Sequence, residues 1–253
     1  MPYFAKRRFD QSLKSVIMNT VFDCHLHVEG GIESYDLSLS GGNIIFNSIE
    51  SHKQHAAKYG GFYHTLIFDF KHNPEYIQSC IDRNSIHALK IHTRLQKIPL
   101  TEYDEMIRSL KMFDNTIPVI YDAFYSHGNL DYQPSLKGLL KLLDAFPERR
   151  FVIAHSGGYN ILKYFFHLRG YKNVGYDLSF SLQYLSDSSC YIDLIKLIKF
   201  TDKHRIFYGS DFPSASPSFQ YAILNDICKV VSISENDKEG FFRTNWINFI
   251  EGR

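Results

Sequence analysis

Long apolar runs are missing from this sequence, and so is any excess of charge of one sign. No stretch approaches the roughly 18 to 20 apolar residues that a bilayer-spanning helix needs, so a membrane span is not expected. Lys and Arg number 28 against 27 Asp and Glu, a formal net charge of +1, so no global field favours nucleic acid or an anionic membrane. The one basic cluster near the start, Lys6-Arg7-Arg8, is too short for a nucleic-acid-binding arm and reads as solvated chain. Cysteine is scarce: Cys24, Cys80, Cys190 and Cys228 are scattered without C-x-x-C spacing, which fits reduced, partly buried thiols. The first twenty residues lack the apolar core of a signal peptide, and a soluble, cytoplasmic protein is the expectation. Internal repeats, low-complexity tracts and Pro/Gly-rich linkers are also lacking, so residues 1–253 are read as one domain, with the barrel proper over about 20–250.

What is present is an alternation of short apolar runs and longer amphipathic segments. Strands are expected near Thr20–His27, Asn43–Asn47, His64–Phe70, His87–Thr93, Ile117–Asp122, Arg150–His155, Asn173–Ser179 and Arg205–Ser210. Each is short, rich in Val, Ile, Phe or Tyr, and closed by polar residues or Gly, as strands buried on both faces are. Helices are expected over Ser48–Tyr59, Pro74–Arg83, Thr101–Phe113, Ser135–Phe146, Tyr159–Leu168, Ser189–Asp202, Pro217–Val230 and Glu235–Ile250. Pro74 and Pro217 suit first helical turns, and Thr101 opens a T-x-x-D pattern that fits an N-cap. Residues 28–42, rich in Ser and Gly, are expected to form a loop over the site. Eight alternating units in 253 residues predict an α/β fold, a single-domain (β/α)8 TIM barrel, with its reaction site at the C-terminal ends of the strands.

Several strand ends carry chemistry. In Asp23-Cys24-His25-Leu26-His27 the two histidines are two residues apart and so project from one side of a strand, where two neutral imidazoles can bind a divalent metal. One core histidine and one capping histidine would give the same spacing. Phe151-Val152-Ile153-Ala154-His155-Ser156-Gly157-Gly158 ends a strand in His155 and a small-residue turn, placing a candidate base or electrophile where a substrate can come close. Gly209-Ser210-Asp211-Phe212-Pro213 ends the last strand in a carboxylate able to touch a metal and accept a proton from water, or simply to cap the turn. Lys90 and His92 share one side of the fourth strand, as contacts for a substrate anion or, for Lys90, a chain snorkelling from the barrel end.

Taken in order, His25-x-His27, Leu89-Lys90-Ile91-His92, His155-Ser156-Gly157-Gly158 and Gly209-Ser210-Asp211-Phe212-Pro213 resemble the amidohydrolase-2 branch of the amidohydrolase superfamily. The likeness runs from about Val21 to Phe249 and includes Asn245. It implies a TIM barrel that hydrolyses or decarboxylates a small carboxylate-, amide- or lactone-containing molecule. It also implies one divalent ion, Zn2+ foremost with Mn2+ or Fe2+ as alternatives, held by His25, His27 and Asp211. Asp211 would also deprotonate water, and His155 would bind or polarise the substrate or help move a proton.

At one position the chain departs from the family. Where the fifth strand usually ends in His, this sequence reads Ile117-Pro118-Val119-Ile120-Tyr121-Asp122. Asp122 would then replace an imidazole as fourth ligand, or His127 would reach in from the loop. Alternatively no metal binds, as in metal-independent lactonases of the superfamily, with Lys90, Arg94, Tyr121 and Tyr125 holding the substrate. A barrel that binds a small molecule without turnover is the remaining reading. A homodimer is compatible with a barrel of this size.

Overall fold

A computed structural model describes residues 20–27, 31–71 and 74–253. Lys6, Arg7, Arg8, Val28 and His72 lie outside the described residues. Eight parallel strands run in sequence order: β1 (Thr20–His27), β2 (Ser38–Phe46), β3 (Tyr63–Ile67), β4 (Ala88–Ile91), β5 (Val119–Asp122), β6 (Phe151–Ala154), β7 (Val174–Asp177) and β8 (Ile206–Phe207). The ring closes where Cys24 N donates to Tyr208 O at 3.1 Å, Asp211 N to His25 O at 2.9 Å and His27 N to Phe212 O at 2.9 Å. This is the expected (β/α)8 barrel, and no helix among the described residues is long and apolar enough to cross a membrane.

Helices cover the outside: α1 (Ile49–His55), α2 (Pro74–Asp82), α3 (Thr93–Gln96), α4 (Tyr103–Leu110), α5 (Leu136–Ala145), α6 (Ile161–Leu168), α7 (Ser181–Tyr184), α8 (Cys190–Phe200), α9 (Pro217–Val230), α10 (Glu235–Glu239) and α11 (Asn245–Glu251). Their starts follow capping chemistry. Ser48, Ser135, Ser216 and Ser234 each accept a backbone N–H in the first turn, and Pro217 opens α9. Thr101 does not serve as the cap predicted for it; it lies in a 3-10 turn, Leu100–Glu102, that leads into α4. The final helix is not continuous: a π-turn at Gly240–Thr244 separates α10 from α11.

The second strand corrects the sequence reading most. It begins at Ser38, not Asn43, so the last five residues of the expected loop, 38–42, are strand. Gly41 and Gly42 weaken the strand signal but are what the packing requires. A Cβ on Gly42 would lie 2.7 Å from Leu26 Cδ1 and 3.0 Å from Asp23 O.

Strand alternation divides the apolar residues in two. Leu89, Ile91, Val119, Tyr121, Phe151 and Ile153 face the helices, whereas Ala88, Ile120, Val152 and Ala154 fill the barrel with Phe22, Cys24 and Phe207. Trp246 and Ile250 of α11 join the interior group from the N-terminal end of the barrel. At the same end Arg149, fully buried, donates to the carbonyls of Ile117 at 2.9 Å, Phe113 at 2.8 Å and Leu110 at 3.4 Å, and to Asn115 Oδ1 at 3.1 Å. The last carbonyl of α4, Leu110 O, and those of the turn after it thus meet a guanidinium, a favourable match to the helix dipole. With the lower barrel filled, the open space lies at the opposite rim.

Candidate active site

Two residues beyond each apolar inward position, the strands change character. Lys90 follows Ala88 on the inner face of β4, and Asp122 follows Ile120 on β5. In β1 the register to β2 shifts between Asp23 and Leu26, and with that shift His25 and His27 join the inner face above Cys24. His155 and Asp211 stand at strand ends with φ of 56° and 65°, left-handed backbone that non-glycine residues adopt at a cost of about 1–3 kcal/mol. A cavity of about 280 Å³ results, lined by His27, Asn47, Lys90, His92, Arg94, Asp122, Phe124, His155, Phe180, Asp211 and Ser214.

Three side chains converge on its β1–β8 side. His25 Nε2 and His27 Nε2 lie 3.3 and 3.2 Å from Asp211 Oδ1. The three offer donor atoms within 4.8 Å of one another, a spacing able to hold a metal ion. His25 is fixed from behind: its Nδ1–H donates to Asp177 Oδ2 at 2.5 Å, and Ser179 N and Oγ donate to the same carboxylate at 2.7 and 2.8 Å. The Nε2 of His25 therefore carries a lone pair, and this lone pair faces an oxygen of a carboxylate. Two acceptors at 3.3 Å call for a cation, and two imidazoles with one carboxylate suit Zn2+, Mn2+ or Fe2+. Lys90 Nζ meets part of that demand, donating to His25 Nε2 at 3.2 Å.

Burial, then the charge of Lys90, holds the His25 imidazole down to about 4, against the pull of Asp177. Burial raises the Asp211 carboxyl, but its bond to His27 and the charges of His155 and His25 outweigh this and leave it below the usual carboxylate range. Neutral histidine and ionised aspartate are the forms a metal requires. Asp23, below the cluster, accepts from His25 N at 2.9 Å, Ser210 N at 3.0 Å and Tyr35 Oη at 2.6 Å, tying β1 to β8.

The β4–β5 side is organised around Asp122. Its carboxylate lies 3.5 Å from Lys90 Nζ, 3.4 Å from His92 Nε2, 3.4 Å from Arg94 Nη2 and 3.4 Å from His155 Nε2. Burial favours its neutral form, but His92, the His155 bond and Lys90 together drive the carboxyl well below its ordinary value. Asp122 is therefore placed among cations and stands outside the group of three that could bind a metal. His92 is held down to about 4 by burial first, then by Lys90 and Arg94. His155 goes the other way: burial lowers it, but Asp122, Asp211 and Asp177 raise it more.

Two tyrosines named from the sequence do not line the cavity. Tyr121 is one residue from Asp122 and so points to the opposite side of the strand; its hydroxyl bonds Tyr103 Oη at 2.7 Å and Ser135 O at 3.1 Å in the helix layer. Tyr125 packs its ring on Tyr159. His127 stays on its loop, with Nδ1 3.2 Å from Ser126 Oγ. Conversely, Asn47, Phe124, Phe180 and Ser214 line the cavity from beyond their strands, where no periodicity in the sequence marks them. Phe124 and Phe180 meet edge-on at 5.1 Å and form an aromatic wall beside His155.

A family model described as Amidohydrolase matches residues 134–245. The barrel fold is shared with solved structures that are 12–14% identical to this chain. Among solved structures with this barrel, dihydroorotase from Saccharomyces cerevisiae aligns with a TM-score of 0.63 and 12% identity, over 92% of this chain and 84% of its own. A putative 2-pyrone-4,6-dicarboxylic acid hydrolase from Pseudomonas putida gives 0.62 and 14%, over 91% and 97%. The 2,6-dihydroxybenzoate decarboxylase from Rhizobium gives 0.57 and 12%, over 92% and 98%. No curated protein matches. On this barrel, among the described residues, His25, His27 and Asp211 form a group whose spacing could hold a metal ion.

Proposed function

We propose that the protein is a metal-dependent hydrolase or decarboxylase of a small carboxylate-bearing molecule. The observation that carries this reading is the pair of facing acceptors, His25 Nε2 and Asp211 Oδ1, at 3.3 Å. His25, His27 and Asp211 would hold one divalent ion, with Zn2+ the best fit and Mn2+ or Fe2+ as alternatives. Such an ion supplies Lewis acidity, polarising a carbonyl or acidifying water.

The remaining work falls to the chain itself. Asp211, kept ionised, accepts the proton of an attacking water in hydrolysis. His155 donates from Nδ1 to Ser179 O at 3.1 Å, and its raised proton affinity lets Nε2 hold a proton toward charge developing on the substrate. Lys90, His92 and Arg94 bind the substrate's carboxylate, and Phe124 and Phe180 give it an apolar wall. The neighbours' names, a dihydroxybenzoate decarboxylase and a pyrone-dicarboxylic acid hydrolase, denote ring carboxylates and support the same substrate class.

The second reading, metal-free lactone hydrolysis, is favoured by one contact: Lys90 Nζ already satisfies the His25 lone pair. Metal analysis of protein purified without a metal-affinity tag separates the two. Near-stoichiometric metal is expected in the wild type and little in His25→Ala. Asp211→Asn should remain folded and lose turnover by several orders of magnitude in a screen of lactones, amides and ring carboxylates. A wild type that takes up none of the three ions would end the leading reading.

A further inference from the structure

Asn47 follows the last residue of β2 and enters the cavity beside His27. Its Nδ2 lies 3.2 Å from His27 Nδ1, and its Oδ1 is buried without a hydrogen-bond partner. On the far side of the ring, His27 Nε2 faces the Asp211 carboxylate at 3.2 Å. Together these contacts fix the tautomer. A carboxylate oxygen accepts, so Nε2 carries the hydrogen, and Nδ1 is the acceptor that the Asn47 amide requires. This is the wrong tautomer for a ligand, because a nitrogen bound to a metal cannot keep its hydrogen. With Nε2 on a metal, the hydrogen must sit on Nδ1, where it would point at an amide N–H.

We propose that Asn47 is the positioning residue of His27 and that its amide turns over as a metal binds. In one sense Nδ2 donates to Nδ1; in the other Oδ1 accepts from Nδ1–H and leaves Nε2 free as a ligand. An amide is one of the few side chains that can serve both tautomers from one place, and its terminal torsion is two-fold. The unpartnered Oδ1 means that only the bond from Nδ2 to His27 holds the amide in its present sense. Asn47 thus does for His27, reversibly, what Asp177 does for His25 in one fixed sense. The inference rests on the metal-dependent reading above.

The test uses the full chain with 15N-labelled histidine, titrated with Zn2+, the His27 signals being identified by their absence in His27→Gln. Wild type should show Nε2–H at His27 without metal and Nδ1–H with it. Asn47→Asp, which can only accept, should hold Nδ1–H throughout and bind Zn2+ at least as tightly as wild type. Asn47→Leu, which can do neither, should bind Zn2+ about 10–100-fold more weakly in a chelator competition. Wild-type affinity in Asn47→Leu, or Nε2–H retained at His27 in the Zn2+-loaded protein, would overturn the role of Asn47 and leave the metal site standing. A wild type that binds no Zn2+ would remove both.

Discussion

The two sides of the cavity are built to opposite electrostatic plans. On the β1–β8 side, two carboxylates, Asp211 and Asp177, are held ionised beside the neutral His25. On the β4–β5 side, Lys90, Arg94, His92 and His155 crowd a single carboxylate, Asp122. Carboxylates dominate the first side, and on the second the cations Lys90 and Arg94 outnumber the one carboxylate, Asp122. A cavity polarised in this way suits a bound cation on one wall and an anionic substrate group on the other. The reacting bond would then lie between them. Lys90 spans the divide, 3.2 Å from His25 Nε2 and 3.5 Å from Asp122.

Breaking the β4–β5 side at its centre should have the largest effect on folding. Asp122→Asn leaves the nearly inaccessible Lys90 without its counter-charge, and loss of one partner of a buried pair costs about 3–5 kcal/mol. Urea denaturation at neutral pH measures this. The pH dependence follows from the sign of the Asp122 shift. Its folded pKa lies below the unfolded value of about 3.9, so its contribution is complete above that pH and disappears as pH falls through the depressed value. Wild type should therefore lose stability on acidification below about pH 4, and Asp122→Asn should lose less.

Lys90→Met sharpens the contrast by removing the cation that bridges it. With that charge gone, His25 should bind a metal more tightly, on the order of tenfold, by relief of like-charge repulsion. Competition against a chromophoric chelator would show it, and binding of a ring carboxylate should weaken in the same variant. Weaker metal binding instead would mean that Lys90 supports the metal side. Tyr121→Phe should matter least to the site. The lost hydroxyl bonds lie in the helix layer, so stability should fall by about 1–2 kcal/mol with metal and anion binding unchanged.

Tyr121 also shows where the sequence was legible and where it was not. Strand number, order and the chemistry at the ends of β1, β4, β5, β6 and β8 follow from apolar runs closed by His, Lys or Asp. Placing Tyr121 and Asp122 in one site, however, contradicts the alternation that defines a strand; only one of two adjacent residues can face inward. The same rule fails usefully in β1, where the register shift brings both Cys24 and His25 inward, which simple counting would forbid. Asn47 and Phe180 escaped notice for a different reason. They act from connections, where position is set by tertiary packing and not by period. The start of β2 was hidden because its glycines answer to Leu26 and Phe22 on the neighbouring strand.

The Arg149 staple has a consequence for how the molecule breathes. It gathers three carbonyls and one amide oxygen around a guanidinium with no access to solvent, and so clamps the return from α4 to β5. Amides at that end can exchange with solvent only through openings that expose this buried charge, which are rare events. The rim that carries the histidines has no comparable clamp between Phe124 and Phe180, whose contact is aromatic and apolar. Slow exchange at the floor and faster exchange at the mouth would let substrates enter and leave while the barrel beneath keeps its shape.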